Sequence, residues 1–396
     1  HWDVEDDQFW TTVGKKIANR NLWISIPNLL CGFAVWLYWG MIIVRMQALH
    51  DVHPELFAFT FGNNGQPLVG NGYRALLYTL PAVAGLSGAT LRVPNSFMLA
   101  ISGGRNVKFM TSVLLIAPAL GTGLALQNPN TSFLTFIILA ALSGVGGGAF
   151  ASSMSNISYF FPKKMQGLSL GLNAGLGNLG VSTMQFLIPA VITTAWIGPG
   201  YTLKGNTVFL QNAGLVWVPI LVVLATLAWF FMNNLPVHDC GPTPKAIGKY
   251  LWLELLGFAG AAVGIALLIV PWGPVPILLK IFIVLAITVV VTLALMRYLT
   301  SKEIRDPLVD QFAIFKNKHN WVMTWLYTMT FGSFIGYAAA FPKLIKDIFG
   351  YIRVDHAGKP LAIVLEAGQK LDYITASGAK VALSNATAKA MTITEI

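Results

Sequence analysis

Charged residues are scarce in this chain. Asp, Glu, Lys and Arg make up 11% of its 396 residues, whereas hydrophobic residues make up 55%. A soluble domain averages roughly 25% charged residues. The scarcity therefore excludes an ordinary soluble protein, and the long apolar runs predict membrane-spanning helices rather than a barrel. We expect an all-α integral membrane protein embedded in a lipid bilayer.

Groups that ligate metals or catalyse reactions are also few within the apolar runs. Cys31 lies in a predicted span and Cys240 in a loop, which offers neither a disulfide framework nor a metal site. His50, His53 and Glu55 lie close together in a loop, but nothing nearby completes a metal site. We interpret them as solvated loop residues. The sequence disfavours an intramembrane enzyme, and we expect no catalytic residue, no metal and no cofactor.

Acidic residues are outnumbered by basic ones, 16 to 26, which gives a formal net charge of +10. Such an excess can indicate nucleic-acid binding, but here the basic residues cluster in short loops on one side, so we expect no nucleic-acid partner. By the positive-inside rule, these loops and the N-terminus face the cytoplasm. The clusters are Lys15, Lys16 and Arg20; Arg105 and Lys108; Lys163 and Lys164; Lys245 and Lys249; and Lys302 to Lys318.

Apolar periodicity and turn residues divide the chain further. The predicted spans are 21–45, 73–103, 107–126, 133–160, 165–195, 212–234, 250–271, 275–299 and 319–342. Residues 1–20 predict a membrane-surface helix, and alternation at 362–365, 371–374 and 381–383 predicts short strands in a polar tail. The chain starts at His1 without an initiator Met or a signal peptide and ends in a predicted loop. We therefore expect a piece of a longer protein.

The span from Tyr73 to Gly103 carries Arg92 near its middle. A guanidinium at membrane depth costs at least ~2.5 kcal/mol, so it is normally kept because it binds something. Gly85 and Gly88 lie two turns and one turn before Arg92, and they predict the close approach of a neighbouring helix. We predict a cavity in a helical bundle with this charge directed at an anion. The alternative is an arginine that snorkels to an interface or pairs with a carboxylate.

A glycine-rich stretch at 175–180 matches GxGxxG. It lies within an apolar helix and no acidic residue follows, so we reject a dinucleotide site. Helical spacing instead places small residues on one face, along which another helix can slide. Asn178 on that face is either an amide donor to a buried site or an interhelical hydrogen-bonding residue. The face holds Gly171, Ala174, Gly175, Asn178 and Ser182, and the predicted packing signature is Gly171, Ala174, Gly175 and Gly177.

Several segments together resemble the NarK-type nitrate/nitrite porters of the major facilitator superfamily, over 1–234 and 319–345. No single segment would be specific, but their combination is. The matching segments are Arg20-Asn21-Leu22-Trp23-Ile24-Ser25, Leu91-Arg92-Val93-Pro94 with Ser96-Phe97-Met98, Phe150-Ala151-Ser152-Ser153-Met154 with Asn156-Ile157-Ser158, Gly171 to Asn178, and Thr330 to Gly336.

The resemblance implies two six-helix halves with the anion held between them. The implied substrate-binding residues are Arg92, which binds nitrate or nitrite, Phe33 and Phe150, which sandwich the planar anion, and Asn178, Tyr327 and Phe331, which help to line the site. Spacing alone does not single out these aromatic residues, although Tyr327 and Phe331 at i and i+4 share a helical face.

The resemblance implies five segments, and the sequence departs from the family pattern in three respects. The resemblance places the family's second clamping arginine in the helix after the one that carries Tyr327, and we expect that helix to lie beyond Ile396. Arg305 is a loop residue and is not its counterpart. The helix pair at 250–299 and the tail are absent from shorter members, and Ala174 replaces a glycine. The segments are a cytoplasmic surface helix at 1–20, an N-terminal six-helix half at 21–234, a cytoplasmic loop with an inserted helix pair at 235–318, the first helix of the C-terminal half at 319–346, and an extracytoplasmic β-like loop at 347–396.

We therefore expect a monomeric transporter in the bacterial cytoplasmic (inner) membrane that exchanges nitrate for nitrite by alternating access. Two alternatives stay open at this point. One is symport of nitrate with a proton, and the other, of a different class, is a non-transporting membrane sensor or scaffold.

Overall fold

The structure, a computed structural model, describes residues 2–62, 64–203, 205–236, 240–311, 314, 316–349 and four short strands after residue 362. Side chains within these ranges are described up to residue 348, except at 307–313. The chain divides into two compact units, His1–Ala340 and Phe341–Ile396.

Helices make up most of the described residues. A π-helical segment at Trp10–Gly14 joins the first two of them. The α-helices are α1 Asp7–Phe9, α2 Lys15–Leu37, α3 Trp39–Val52, α4 Gly70–Leu77, α5 Thr79–Ser102, α6 Gly104–Gln127, α7 Phe133–Phe160, α8 Lys163–Val191, α9 Asn212–Leu215, α10 Trp217–Phe231, α11 Thr243–Ile269, α12 Ile277–Leu299, α13 Lys302–Gln311 and α14 Lys318–Phe349.

Within the described residues, 7 helical segments are long and apolar enough to cross a membrane. They coincide with seven of the predicted spans, so the predicted all-α membrane fold is confirmed. Helices α8 and α14 also form where spans are predicted, but they are not among these segments. Glycine and polar residues lower their hydropathy, and their role as spans stays a prediction.

The N-terminal segment differs from the separate surface helix that the sequence predicts at 1–20. The helix continues from Asp7 through the π-helical segment into α2. Trp10 is only 6% exposed and packs against Phe161, with ring centroids 5.7 Å apart. Burying these aromatic rings against the ends of α7 and α8 stabilises the segment on the protein, and its predicted location at the membrane surface stays a prediction.

Helices α2, α5 and α7 form the centre of the core, and glycines set their spacing. A Cβ on Gly146 would lie 2.0 Å from the carbonyl oxygen of Gly32, so α2 and α7 are in backbone contact. Gly88 of α5 packs against the Trp36 ring, as the close approach predicted there requires. Gly85 does not, because a Cβ on Gly85 would have no neighbouring atom of the described residues within 4 Å. The prediction of a packing face is therefore confirmed at Gly88, and at Gly85 it stays a prediction.

The helix pair α11 and α12 packs directly on the core. Gly257 of α11 lies against Leu91 and Pro94 of α5. Farther along α11, Gly260 and Gly264 lie against Thr292 and Thr288 of α12. The absence of side chains on α11 lets it contact both neighbours closely.

Short antiparallel strand pairs occur in the loops. The hairpin of β1 Tyr201–Leu203 and β2 Asn206–Val208 lies between α8 and α9. In the second unit, the strands are β3 Ile363–Leu365, β4 Lys370–Ile374, β5 Lys380–Ser384 and β6 Met391–Ile393, paired β3 with β6 and β4 with β5. The strands predicted by alternation are present, and β6 is an addition.

Candidate functional site

Arg92 of α5 is held by one strong and one long hydrogen bond. Its Nε donates to the carbonyl oxygen of Gly147, 3.1 Å away on α7, and its Nη1 donates to the hydroxyl of Tyr327 on α14 at 3.4 Å. Its Nη2 is buried and has no hydrogen-bond partner among the described residues. The guanidinium is therefore fixed through Nε and Nη1, and Nη2 is left as a free hydrogen-bond donor.

Aromatic rings surround this guanidinium. Its Cζ lies 5.7 Å from the Trp36 ring, 5.2 Å from the Phe150 ring and 4.8 Å from the Phe331 ring. Cation–π attraction of this kind contributes about 0.5–2 kcal/mol per contact. We call the surrounding side chains the aromatic cage, and its members are Phe33, Trp36, Phe150, Tyr327 and Phe331.

The cage is closed by contacts among the rings themselves. Phe33 lies 5.8 Å from Phe150 and 6.2 Å from Phe331, edge to face in both cases. Phe331 stacks on Phe150 at 5.4 Å and on Tyr327 at 4.9 Å. Four helices, α2, α5, α7 and α14, thus converge on one guanidinium.

The glycines of α7 explain how the helices come so close. Gly147 has no side chain, so the Trp36 ring packs over it while its carbonyl oxygen accepts from Arg92. The indole of Trp36 is fixed by a hydrogen bond from Nε1 to the carbonyl oxygen of Ala84, 2.6 Å away. Gly147 thereby positions both the Trp36 ring and the Arg92 guanidinium.

Arg92 has no ion pair with any residue that the structure describes, so the alternative of a structural carboxylate partner is not supported there. A positive charge with apolar rings on several sides loses hydration, and its two hydrogen bonds and the ring contacts supply no counter-charge. A bound anion would supply that counter-charge. Chemically, the arrangement suits a small planar oxyanion, because the flat fork donates in its own plane and rings cover flat faces.

The structure brings together five of the six predicted substrate-binding residues, and Asn178 is the exception. Asn178 of α8 is half-buried, and its Oδ1 is buried without a hydrogen-bond partner among the described residues. No contact with the aromatic cage places it in the site. Its role in binding stays a prediction.

The residues of the predicted packing signature on α8 differ in whether they contact another helix. A Cβ on Gly177 would lie 2.6 Å from Leu29 of α2, so this glycine is in a tight contact. Gly171 and Gly175 have nothing within 4 Å among the described residues, and Ala174 lies on their partly exposed side. The face on which another helix would slide is thus open in the part of the chain that the structure describes, and its partner stays a prediction.

Sequence reasoning missed Trp36. It lies three residues after Phe33, on the same face of α2, and that spacing is the signal that could have found it. Among the described residues, no group of three or more His, Cys, Asp or Glu side chains could hold a metal ion.

The amino-acid sequence is similar to those of known transporters. The chain is 34% identical over 358 residues to the nitrate/nitrite transporter NarU of Escherichia coli (strain K12), which covers 89% of this chain and 59% of NarU. It is 32% identical over 362 residues to the probable nitrate/nitrite antiporter NarK2 of Thermus thermophilus, which covers 88% of this chain and 61% of that protein. The chain is a homologue of the NarK-type nitrate/nitrite transporters. No family model matches it.

The NarK-type homologue spans about three fifths of the length of these curated relatives. It also resembles the inward-open xylose transporter XylE from E. coli, with a TM-score of 0.41 at 12% identity, covering 83% of this chain and 92% of XylE. Its apolar helices and bacterial relatives make it a multi-pass inner-membrane protein.

Proposed function

We propose that this protein carries nitrate and nitrite across the inner membrane, by exchange of one for the other. The observation that carries the proposal is the caged guanidinium of Arg92, which has a buried free donor at Nη2 and no carboxylate partner among the described residues. The relatives are named as nitrate/nitrite transporters, which supports this substrate class.

The geometry favours a planar monovalent anion over a tetrahedral divalent one. One guanidinium offers one unit of positive charge, and its fork matches two oxygens in one plane. The rings of Phe33 and Phe150 exclude water, which strengthens the remaining hydrogen bonds. A divalent phosphate or sulfate would leave a second charge uncompensated in the same apolar surroundings.

Exchange follows from the cost of the empty state. When the anion leaves, no counter-charge contacts the Arg92 guanidinium in the cage, so the empty carrier reorients more slowly than the loaded one and a second anion binds first. We infer that reorientation rocks one half of the full transporter against the other, with the open small-residue face of α8 as a sliding surface. Asn178 would line the site in that arrangement. The N-terminus would face the cytoplasm, as the loop charges predict.

The test is counterflow in liposomes that contain the full-length protein. Vesicles loaded with nitrite should take up external nitrate, and Arg92→Lys should reduce the rate at least about tenfold, because an ammonium lacks the planar fork. The matched control is Arg297→Lys on α12, an exposed position outside the cage, which should keep the wild-type rate. Wild-type exchange in Arg92→Lys would refute the proposed site, and no exchange by the wild type would refute the function.

A second candidate, proton-coupled nitrate uptake, is favoured by one observation. A carboxyl group, Glu254 of α11, is buried next to the helix that carries Arg92. Net nitrate uptake driven by a pH gradient, without internal nitrite, would separate this candidate from pure exchange.

A further inference from the structure

Glu254 is a buried carboxyl group that the exchange of anions at Arg92 does not use. It is 2% exposed, and it has no ion pair with any described residue. Its Oε1 accepts hydrogen bonds from Asn95 Nδ2 at 3.1 Å and from the Tyr250 hydroxyl at 3.0 Å. Its Oε2 is buried without a partner among the described residues. A carboxylate is costly in such surroundings, whereas a protonated carboxyl is not charged.

Asn95 links this carboxyl to the two helices that hold Arg92. It lies three residues after Arg92, about one helical turn along α5, and it is fully buried. Its Oδ1 accepts from Ser152 Oγ, 3.0 Å away on α7. The helices α5 and α7 that hold Arg92 are therefore the same helices that hold Asn95.

A short polar chain leads away from Glu254 on its other side. The Tyr250 hydroxyl lies 3.5 Å from Thr111 Oγ1 on α6. Hydroxyl groups in such a chain can both donate and accept, so they can pass a proton to a buried carboxyl. These polar side chains lead toward the first turns of α6, where Arg105 and Lys108 are located.

The charged groups on the helices around Glu254 are cations, and in the described part of the chain none of them forms an ion pair with Glu254. Helix α7 carries no charged residue. Lys245 and Lys249 of α11 pair with Glu303, and Lys280 of α12 binds helix carbonyls. The charged and titratable groups on the elements packed against Glu254 are Tyr250, Lys245 and Lys249 on α11, Arg92 on α5, Arg105 and Lys108 on α6, Tyr159 on α7, and Lys280, Arg297 and Tyr298 on α12.

We propose that Glu254 is a proton-binding site coupled to anion binding at Arg92, an inference that rests on the proposed function. In the empty state, the Glu254 carboxylate offsets the charge of Arg92. When nitrate binds Arg92, the two negative charges repel each other and the carboxylate takes a proton from water. The sum of charges over Arg92, Glu254 and the anion is zero in both states, so the empty carrier can also reorient. The helix pair α11 and α12 thereby gives an exchanger a route to proton-coupled uptake.

The size of the coupling follows from Coulomb's law. Two unit charges roughly 10 Å apart at an effective dielectric constant of about 20 shift an equilibrium roughly tenfold. Because coupling is reciprocal, protonation of Glu254 should raise nitrate affinity by the factor by which nitrate favours protonation. A residue that only stabilises the fold would show no such pH dependence.

The experiment measures nitrate binding and proton uptake together, on the full-length protein in weakly buffered detergent solution. Sodium nitrate should cause uptake of up to about one proton per nitrate in the wild type, and its affinity should rise roughly tenfold on acidification. Glu254→Gln mimics the protonated carboxyl, so it should bind nitrate without proton uptake and with an affinity independent of pH. Glu55→Gln, an exposed carboxylate in a loop, is the matched control and should keep the wild-type response.

A second measurement covers the case in which Glu254→Gln fails to fold. Infrared difference spectra of the wild type should show a protonated-carboxyl band that grows when nitrate is added. Nitrate binding without proton uptake or without this band would overturn the inference and leave the proposed function intact. Absence of nitrate binding by the wild type would overturn both.

Discussion

Gly146→Ala tests how the structure positions the aromatic cage. A Cβ at this position would lie 2.0 Å from the carbonyl oxygen of Gly32, and Cβ atoms in proteins essentially never approach another heavy atom closer than 3.0 Å. The atoms that this Cβ would contact are backbone atoms of Gly32, so no side chain can rotate away. Helices α2 and α7 must separate by about 1 Å, and overpacking of this kind costs about 1–3 kcal/mol. The better helix propensity of alanine offsets about 1 kcal/mol.

Separation of α2 and α7 also acts on the site. Phe33 follows Gly32 directly, and Phe150 lies one turn after Gly146, so the 5.8 Å ring pair opens. A displacement of about 1 Å in a positioned site can cost up to about 10²-fold in rate. We expect Gly146→Ala to lower the melting temperature in detergent by several degrees and to reduce nitrate/nitrite counterflow at least about tenfold.

The chain offers two controls for this variant. A Cβ on Gly32 itself would lie 3.4 Å from the Gly146 oxygen, which is ordinary contact, so Gly32→Ala should have a much smaller effect at the same crossing. Gly85→Ala on α5 meets open space among the described residues and should be neutral or slightly stabilising. Equal stability and activity of Gly146→Ala and wild type would refute the packing on which the cage depends.

Three further outcomes are expected. Phe331→Ala removes the ring 4.8 Å from the Arg92 guanidinium and should weaken nitrate binding about tenfold in a calorimetric titration, whereas unchanged affinity would remove this ring from the site. Trp36→Phe removes the buried hydrogen bond from Trp36 Nε1 to the Ala84 carbonyl oxygen, so it should lower the free energy of unfolding by about 1 kcal/mol in a denaturant series. An unchanged free energy of unfolding would contradict this hydrogen bond. Hydrogen bonds from Lys249 and Lys245 lower the pKa of Glu303, so this carboxylate stabilises the fold above its unfolded pKa and the contribution is lost as pH falls below about 4.5. Glu303→Gln should lack that acid-dependent part of the melting curve, and an identical pH profile in the variant would exclude the ion pairs.

Some of the site could be predicted from the sequence because its signal is local. A lone arginine in a long apolar run conflicts with the membrane environment, and that conflict identifies Arg92 without any structure. The aromatic residues carry no such conflict. The chain has 24 Phe and 12 Trp residues, and lipid contact or core packing accounts for most aromatic residues in membrane helices equally well. Phe33 and Phe150 were predicted from family resemblance alone, and Trp36 was not predicted.

Helix packing was predicted only in part, because periodicity gives a face but not its neighbour. Gly85 and Gly88 share a face with Arg92, yet only Gly88 meets another helix among the described residues. The amphipathic N-terminal segment also has an apolar face, and the sequence cannot tell whether lipid or the ends of other helices cover it. In the structure Trp10 packs on Phe161. Such choices depend on contacts between residues far apart in the chain.

The central claim is that the free donor of Arg92 binds the anion inside the aromatic cage. Calorimetric titration of the purified full-length protein with sodium nitrate tests it most directly. Loss of one charged hydrogen bond costs about 1.5–3 kcal/mol, so Arg92→Lys should raise the dissociation constant about tenfold to a hundredfold, while Arg297→Lys should leave it unchanged. Equal affinity of Arg92→Lys and wild type for nitrate would contradict the account.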